Sequence, residues 1–428
     1  MKTKRYYRLS ILVILVISFS FFFSCDVFNG NDESEPLSGE AGEIIWSVDH
    51  QKTQAVSTQP LIDDNRVFVL HDGFLRAYEL KTGERIWSQT IFNSDKTRIF
   101  ALNLLADDEN VYIDWGFSFA AFKKESGLQV WRNNYTGDGT TFSGLAGAKI
   151  SMNDTYLFLP RKMKVLKVDK ENGNVASEFP LMESVPEGIE QGATQTLPSS
   201  FGDNILYVIT NMWDTTLEQP LLRGNVFAFD INSGEPKWIY TPPNKVKATD
   251  EFEADSLQVE TNLGDIRITD EHVYVSGGLI LKLNRQTGMP VWIRPLKSQR
   301  FPGIPGEENT ADGVLGGMDI DNQGIYLATA GGFALKLDPE TADEIWRVDV
   351  IFTVQGIVTV LDKKMYFNND GGSGIWIIDT ETGKVLFNEN PPGQQENRDD
   401  VYVSSLGVGE GFMVNVGGIR VYTLRSFE

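Results

Sequence analysis

A chain of 428 residues with 38 Lys and Arg against 59 Asp and Glu carries a formal charge of −21, and it is 41% apolar, 11% aromatic and 23% charged. That is globular composition, neither a disordered chain nor a many-spanning membrane protein, and its acidity argues against the basic stripe that nucleic acid requires. Forty Gly, 17 Pro and 26 Phe beside one Cys and three His point to short strands and turns, with no internal disulfide and no Cys- or His-based metal shell.

Lys2, Lys4, Arg5 and Arg8 precede an apolar run from Leu9 to Phe23. The run has the length of a signal-peptide core and falls short of the ~20 residues a spanning helix needs. Ser24-Cys25-Asp26 follows, and Cys25 is the only cysteine. The segment resembles a bacterial lipoprotein signal, which implies cleavage after residue 24 and lipidation of Cys25. The alternative is an ordinary cleaved signal with an unrelated cysteine. Residues 25–41 then form a lipidated tether, since Asp26 to Glu40 is polar and acidic, a composition that stays flexible. The expected location is the bacterial cell envelope, anchored in a membrane and facing the periplasm or the cell surface, with inner or outer membrane open.

From residue 42 one pattern recurs, a small turn residue followed four positions later by an aromatic. The pairs are Gly42/Trp46, Gly83/Trp87, Gly127/Trp131, Gly234/Trp238, Gly288/Trp292, Ala342/Trp346 and Gly383/Phe387, with a degenerate Gly173/Ser177 between the third and fourth. They recur every ~40–60 residues, near the length of a four-stranded propeller blade. In the unit ending at Trp87, the acidic turn Asp63-Asp64-Asn65 precedes two β-rich runs, Arg66 to Leu70 and Phe74 to Leu80. The turn Lys81 to Glu84 and a strand carrying Trp87 complete it. Gly at the end of that turn supplies the positive φ of a tight hairpin with a bulge. The aromatic fills the wedge between neighbouring sheets. These aromatics are read as architecture.

After Phe387 the chain provides three more strands, near Val401 to Gly407, Phe412 to Val416 and Ile419 to Leu424, without a final aromatic strand. Glu43 to Val48 supplies it. The expectation is an all-β, eight-bladed β-propeller of four-stranded antiparallel blades over residues 42–428, the N-terminal strand completing the C-terminal blade and removing exposed edges.

The Gly-Glu-x-x-Trp endings and Ala228-Phe229-Asp230 resemble the pyrroloquinoline-quinone-like β-propeller repeat family. Its dehydrogenases imply a quinone, a calcium ion held by carboxylates and amides, a vicinal Cys pair and a catalytic Asp. This chain has no Cys beyond residue 25. Asn262, Asp265, Asp319 and Asp321 are the candidates near the axis, but acidic turn residues are usually solvated, so no catalytic residue is assigned, no cofactor is expected and a metal site is left unknown. In length and anatomy the chain is more similar to the propeller lipoprotein family of the outer-membrane β-barrel assembly machinery. That resemblance implies a non-enzymatic scaffold for protein partners. A quinoprotein dehydrogenase and a periplasmic or surface ligand-binding propeller remain alternatives.

The long insertions are Pro180 to Thr196, Asn211 to Gly224, Thr241 to Asn262, Lys297 to Gly317 and Asn388 to Val401. Strand direction in a meander sends all of them to one face, the usual place for binding on a rigid scaffold. The acidity of the four other than Asn211 to Gly224 suits a basic partner or a divalent cation. Met212, Trp213, Leu217, Leu221, Leu222 and Arg223, with Phe301, combine Trp, Met and Arg in the manner of an interaction hot spot. They are the partner-binding candidates, the alternative being that they fold back on neighbouring loops.

Overall fold

Runs such as Arg66–His71 (β3) and Phe74–Glu79 (β4) are apolar on both faces and almost wholly buried, so each needs a packed layer on either side. Neighbouring sheets supply it. The computed structural model describes residues 42–49, 59–71, 73–91, 104–115, 118–135, 149–161, 164–181, 195–202, 204–214, 221–243, 245–247, 256–258, 263–296, 317–329, 332–350, 357–368, 374–389, 406–417 and 420–426. All regular structure among them is β.

Eight four-stranded antiparallel meanders follow one another. Blade 1 is β2 (Leu61–Asp63), β3, β4 and β5 (Arg85–Thr90). Blade 2 is β6 (Leu105–Ala106), β7 (Asn110–Asp114), β8 (Ser118–Lys123) and β9 (Gln129–Asn134). Blade 3 is β10 (Ser151–Met152), β11 (Tyr156–Pro160), β12 (Lys164–Asp169) and β13 (Val175–Pro180). Blade 4 is β14 (Gln195–Gly202), β15 (Ile205–Asp214), β16 (Leu221–Asp230) and β17 (Pro236–Tyr240). After a separate hairpin, β18 (Lys245–Lys247) and β19 (Ser256–Gln258), blade 5 is β20 (Leu263–Ile268), β21 (His272–Gly277), β22 (Ile280–Asn284) and β23 (Pro290–Arg294). Blade 6 is β24 (Met318–Asp321), β25 (Gly324–Ala328), β26 (Phe333–Leu337) and β27 (Glu344–Asp349). Blade 7 is β28 (Thr359–Leu361), β29 (Lys364–Asn368), β30 (Ile375–Asp379) and β31 (Val385–Glu389).

Blade 8 takes β32 (Gly407–Gly409), β33 (Phe412–Gly417) and β34 (Arg420–Arg425) from the end of the chain and β1 (Ile44–Asp49) from its beginning. Trp46 pairs with Thr423 and Val48 with Val421. Gly42 N donates to Arg425 O and Arg425 N to Glu43 O, both at 3.0 Å. The ring is an eight-bladed β-propeller closed as the strand count requires. Around the axis the first strands touch in succession from β10 through β14, β20, β24, β28 and β32 to β2.

The core is divided into layers between blades. Trp87 packs with Leu70, Leu104 and Val111, Trp131 with Leu157 and Leu166, and Trp346 with Phe367 and Ile378. Trp46, Trp87, Trp131, Trp238, Trp346 and Phe387 each cover the turn glycine of the following unit rather than that of their own. A Cβ added to Gly127 would lie 2.6 Å from Trp87 Cδ2, and one added to Gly288 would lie 2.6 Å from Trp238 Cδ2. The indole N–H then donates to a backbone carbonyl of that next turn, Trp87 to Lys124 O at 2.9 Å and Trp238 to Arg285 O at 3.0 Å. One residue type thus supplies apolar area, a satisfied polar atom and the spacing between blades.

Candidate interaction face and axial charge cluster

Antiparallel order places the connections between blades, together with the turn between second and third strands, on one rim, and the other two turns on the opposite rim. The opposite rim is built from short turns whose acidic residues serve the backbone. Asp107 Oδ1 accepts from Glu109 N and Asn110 N, and Asp379 Oδ1 accepts from Thr382 N at 2.7 Å. Asp107 also receives Tyr112 Oη at 2.8 Å and pairs with Lys170 Nζ of blade 3 at 2.6 Å. Burial would raise its pKa, but the Lys170 ammonium, the Tyr112 hydroxyl and the backbone N–H groups outweigh that and lower it to about 2. These carboxylates hold turns and join blades.

All five insertions leave from the first rim. The one at 211–224 is not a loop at its base, because β15 and β16 extend their ladder through Asn211↔Gly224, Met212↔Arg223, Trp213↔Leu222 and Asp214↔Leu221. Asn211 fixes this arm to blade 5, its Nδ2 donating to Leu263 O and its Oδ1 accepting from Leu263 N, both at 2.8 Å. The insertion at 241–262 contains the β18–β19 hairpin, whose Val246 is buried with Trp238 and Leu263. The side chains of Met212, Trp213, Leu221, Leu222 and Arg223 lie outside the described residues, as do Leu217, Phe301, Asn262 and Cys25.

At the axis, Lys149, just before β10 of blade 3, reaches past blade 4 to Asp265 on β20 of blade 5, its Nζ 3.2 Å from both carboxylate oxygens. Arg267, two residues along the same strand and therefore on the same face, donates to Asp265 Oδ1 at 2.7 Å and to Asp319 Oδ1 of blade 6 at 3.4 Å. Each carboxylate also accepts the first strand of the next blade: Asp265 Oδ2 from Met318 N at 3.2 Å, and Asp319 Oδ2 from Val360 N at 2.7 Å. Burial acts against the charge on Asp265, but Arg267 and Lys149 outweigh it and hold the carboxyl below its usual range. The Arg267 guanidinium is held above its ordinary value by Asp265 and Asp319 despite its own burial. For Lys149 burial dominates and pulls the ammonium down, with Asp265 opposing. Asp321 serves its own turn, accepting from Gln323 N at 2.7 Å.

Of the three carboxylates expected near the axis, Asp265 and Asp319 are engaged by cations and by backbone N–H, and Asp321 by the backbone of its own turn. A calcium–quinone pair would need such carboxylates free to face the ion, so the donor set here does not fit that cofactor. Among the described residues, no group of three or more His, Cys, Asp or Glu side chains could hold a metal. Lys149 and Arg267 were not picked out. Arg267 had a signal in its two-residue offset from Asp265, whereas Lys149 meets a partner 116 positions away and had none.

Eight meanders, an aromatic-on-glycine joint between blades and closure by the first strand define a β-propeller of the pyrroloquinoline-quinone-like repeat class. Residues 35–211 and 276–426 match the family described as outer membrane protein assembly factor BamB. The chain belongs to that family. Among solved structures, it is similar to BamB from Moraxella catarrhalis at 12% identity, with a TM-score of 0.57 over 90% of this chain and 98% of that one. It is also similar to the quinohemoprotein alcohol dehydrogenase of Comamonas testosteroni at 15% identity, with a TM-score of 0.59 over 90% of this chain and 77% of that one. The computationally designed protein Ika8 aligns at 13% identity and a TM-score of 0.61, over 90% of this chain and all of Ika8. At such identities the likeness concerns the fold alone. No curated protein sequence matches.

Proposed function

We propose that this protein is a non-enzymatic lipoprotein of the bacterial cell envelope, a propeller scaffold that presents its insertion rim to a protein partner in outer-membrane protein assembly. The observation that carries the reading is the family match over most of the chain, joined to the concentration of every insertion on one rim. Residues 1–24 act as the signal, Cys25 carries the lipid, residues 25–41 are the tether, and the propeller begins at residue 42. The rigid arm at Met212, Trp213, Leu221, Leu222 and Arg223, with Leu217 and Phe301, forms the contact, and acidic insertions favour a basic partner or a bridging divalent cation. The saturated axial carboxylates support a scaffold over quinone chemistry.

Crosslinking in the native cell followed by mass spectrometry tests the reading. A protein of the barrel-assembly machinery is the expected adduct, lost in a Trp213→Ala, Arg223→Ala double variant. Cys25→Ala is expected to release the protein from the membrane fraction. Dye-coupled oxidation after addition of quinone and calcium, with no envelope adduct, would overturn it.

A further inference from the structure

At seven of the eight joints between blades the residue four positions after the small turn residue is aromatic, and at the joint between blades 3 and 4 it is not. Its position is Ser177, paired with Lys167, on an outer strand whose exposure differs from that of its counterparts: β13 is buried only at Phe179, whereas β5 and β9 bury Trp87 and Trp131. The glycine that should receive the ring is Gly234, at φ 78°. A Cβ there would meet no described atom within 4 Å, where the same atom on Gly83, Gly127, Gly173, Gly288 or Gly383 would lie 2.5 to 2.9 Å from a tryptophan ring.

The polar half of the seat is also present. Ile231 corresponds to Leu80 and Thr380, because each donates its N–H across the blade to the first turn: Ile231 to Asn204 O, Leu80 to Asn65 O and Thr380 to Lys363 O. At Thr380 the carbonyl accepts two donors, Lys336 Nζ at 2.9 Å and Trp346 Nε1 at 3.1 Å. Pro339 O likewise accepts Lys282 Nζ at 3.0 Å and Trp292 Nε1 at 3.3 Å. Ile231 O accepts Lys167 Nζ at 2.9 Å, the lysine of the same register. The geometry that admits an indole N–H at the two sister carbonyls is therefore reproduced here without the indole. Phe179, packed on Phe158 and Phe229 at 6.2 and 5.7 Å, holds the joint together from within.

We propose that this joint is a binding site for a tryptophan side chain of a partner polypeptide, its ring laid on Gly234 and its N–H directed to Ile231 O. The chain itself cannot furnish the ring. It has nine tryptophans: six occupy the other joints, Trp115 and Trp376 are buried between other blades, and Trp213 stands near the far end of β15, roughly 26 Å along the strand from Ile205. Indole is favoured over phenyl because the seat offers an acceptor. The site is on the flank of the propeller, distinct from the insertion rim, and it does not depend on the envelope reading because it is testable with purified protein.

The test uses the purified full chain, methyl-labelled for NMR, titrated with N-acetyl-L-tryptophanamide and, as control, N-acetyl-L-alaninamide. The expected result is a saturable shift of the Ile231 and Leu181 methyls with the first probe alone. In Ser177→Trp the cis ring should raise the unfolding midpoint and weaken the response at least tenfold, while Ser177→Ala keeps it. An absent shift, equal binding by Ser177→Trp, or a lowered midpoint in that variant would overturn the proposal. So would a concentration-dependent dimer abolished by both Trp213→Ala and Ser177→Trp, which would make a second copy the occupant.

Discussion

The indole of Trp46, carried on the first strand of the ring, covers Gly83 of blade 1: a Cβ on Gly83 would lie 2.5 Å from Trp46 Cδ2. The same ring donates from Nε1 to Leu80 O at 2.7 Å. One side chain from the beginning of the propeller thus completes blade 8 and fastens it to blade 1. Trp46→Ala should cost about 3–5 kcal/mol through the cavity left at the joint. Gly83→Ala combines backbone strain at φ 72° with ring displacement and should destabilise by at least about 2 kcal/mol. Denaturant unfolding of the two single variants and the double variant should give a sum larger than the double's loss.

Ala342 holds the glycine position of blade 6 at φ 63°, a conformation that an alanine adopts at a cost. Ala342→Gly should raise stability by about 0.5–1 kcal/mol, the relief of strain being partly offset by a more flexible unfolded chain. An unfolding midpoint at or below that of the parent would contradict this.

Asp107 gives a pH dependence with a definite sign. Its folded pKa of about 2 lies below the ordinary 3.8, so it contributes stability above pH ~4 that is lost as pH falls toward ~2. Asp107→Asn should therefore be less stable than the parent at neutral pH, the gap closing over that window. A gap of constant size down to pH ~2 would show that the Lys170 pair does not operate.

Asp114 and Arg161 form a buried ion pair joining blades 2 and 3, with Nη1 to Oδ2 at 2.6 Å and both side chains almost inaccessible. Asp114→Ala leaves a buried guanidinium without this carboxylate, and about 3–5 kcal/mol should be lost. Changing both residues to apolar ones of similar volume should recover part of it, which equilibrium unfolding would read directly.

Blade number, closure and the aromatic positions were legible because they repeat, and Gly42 through Phe387 set the frame. Even Gly173/Ser177, where the aromatic is missing, falls into place as blade 3. What could not be read is the pairing between units. A Gly four residues before its own Trp looks like a local motif, yet Trp87 covers Gly127, a contact made only when blades stack. Insertions were placed on the correct rim by topology, but the ladder through Asp214↔Leu221 follows from β15 and β16 continuing past the blade edge, where the 2-residue alternation gives no stopping signal. Asp265 was recognised as axial but read as a solvated turn residue, because its burial depends on Lys149 and Arg267.

A photo-crosslinking residue placed at Trp213 on the insertion rim and, separately, at Glu171 on the exposed turn of the opposite rim tests the scaffold reading most directly in living cells. A specific envelope adduct from position 213 and none from position 171 is the predicted result. Adducts from position 171 with none from position 213 would contradict it.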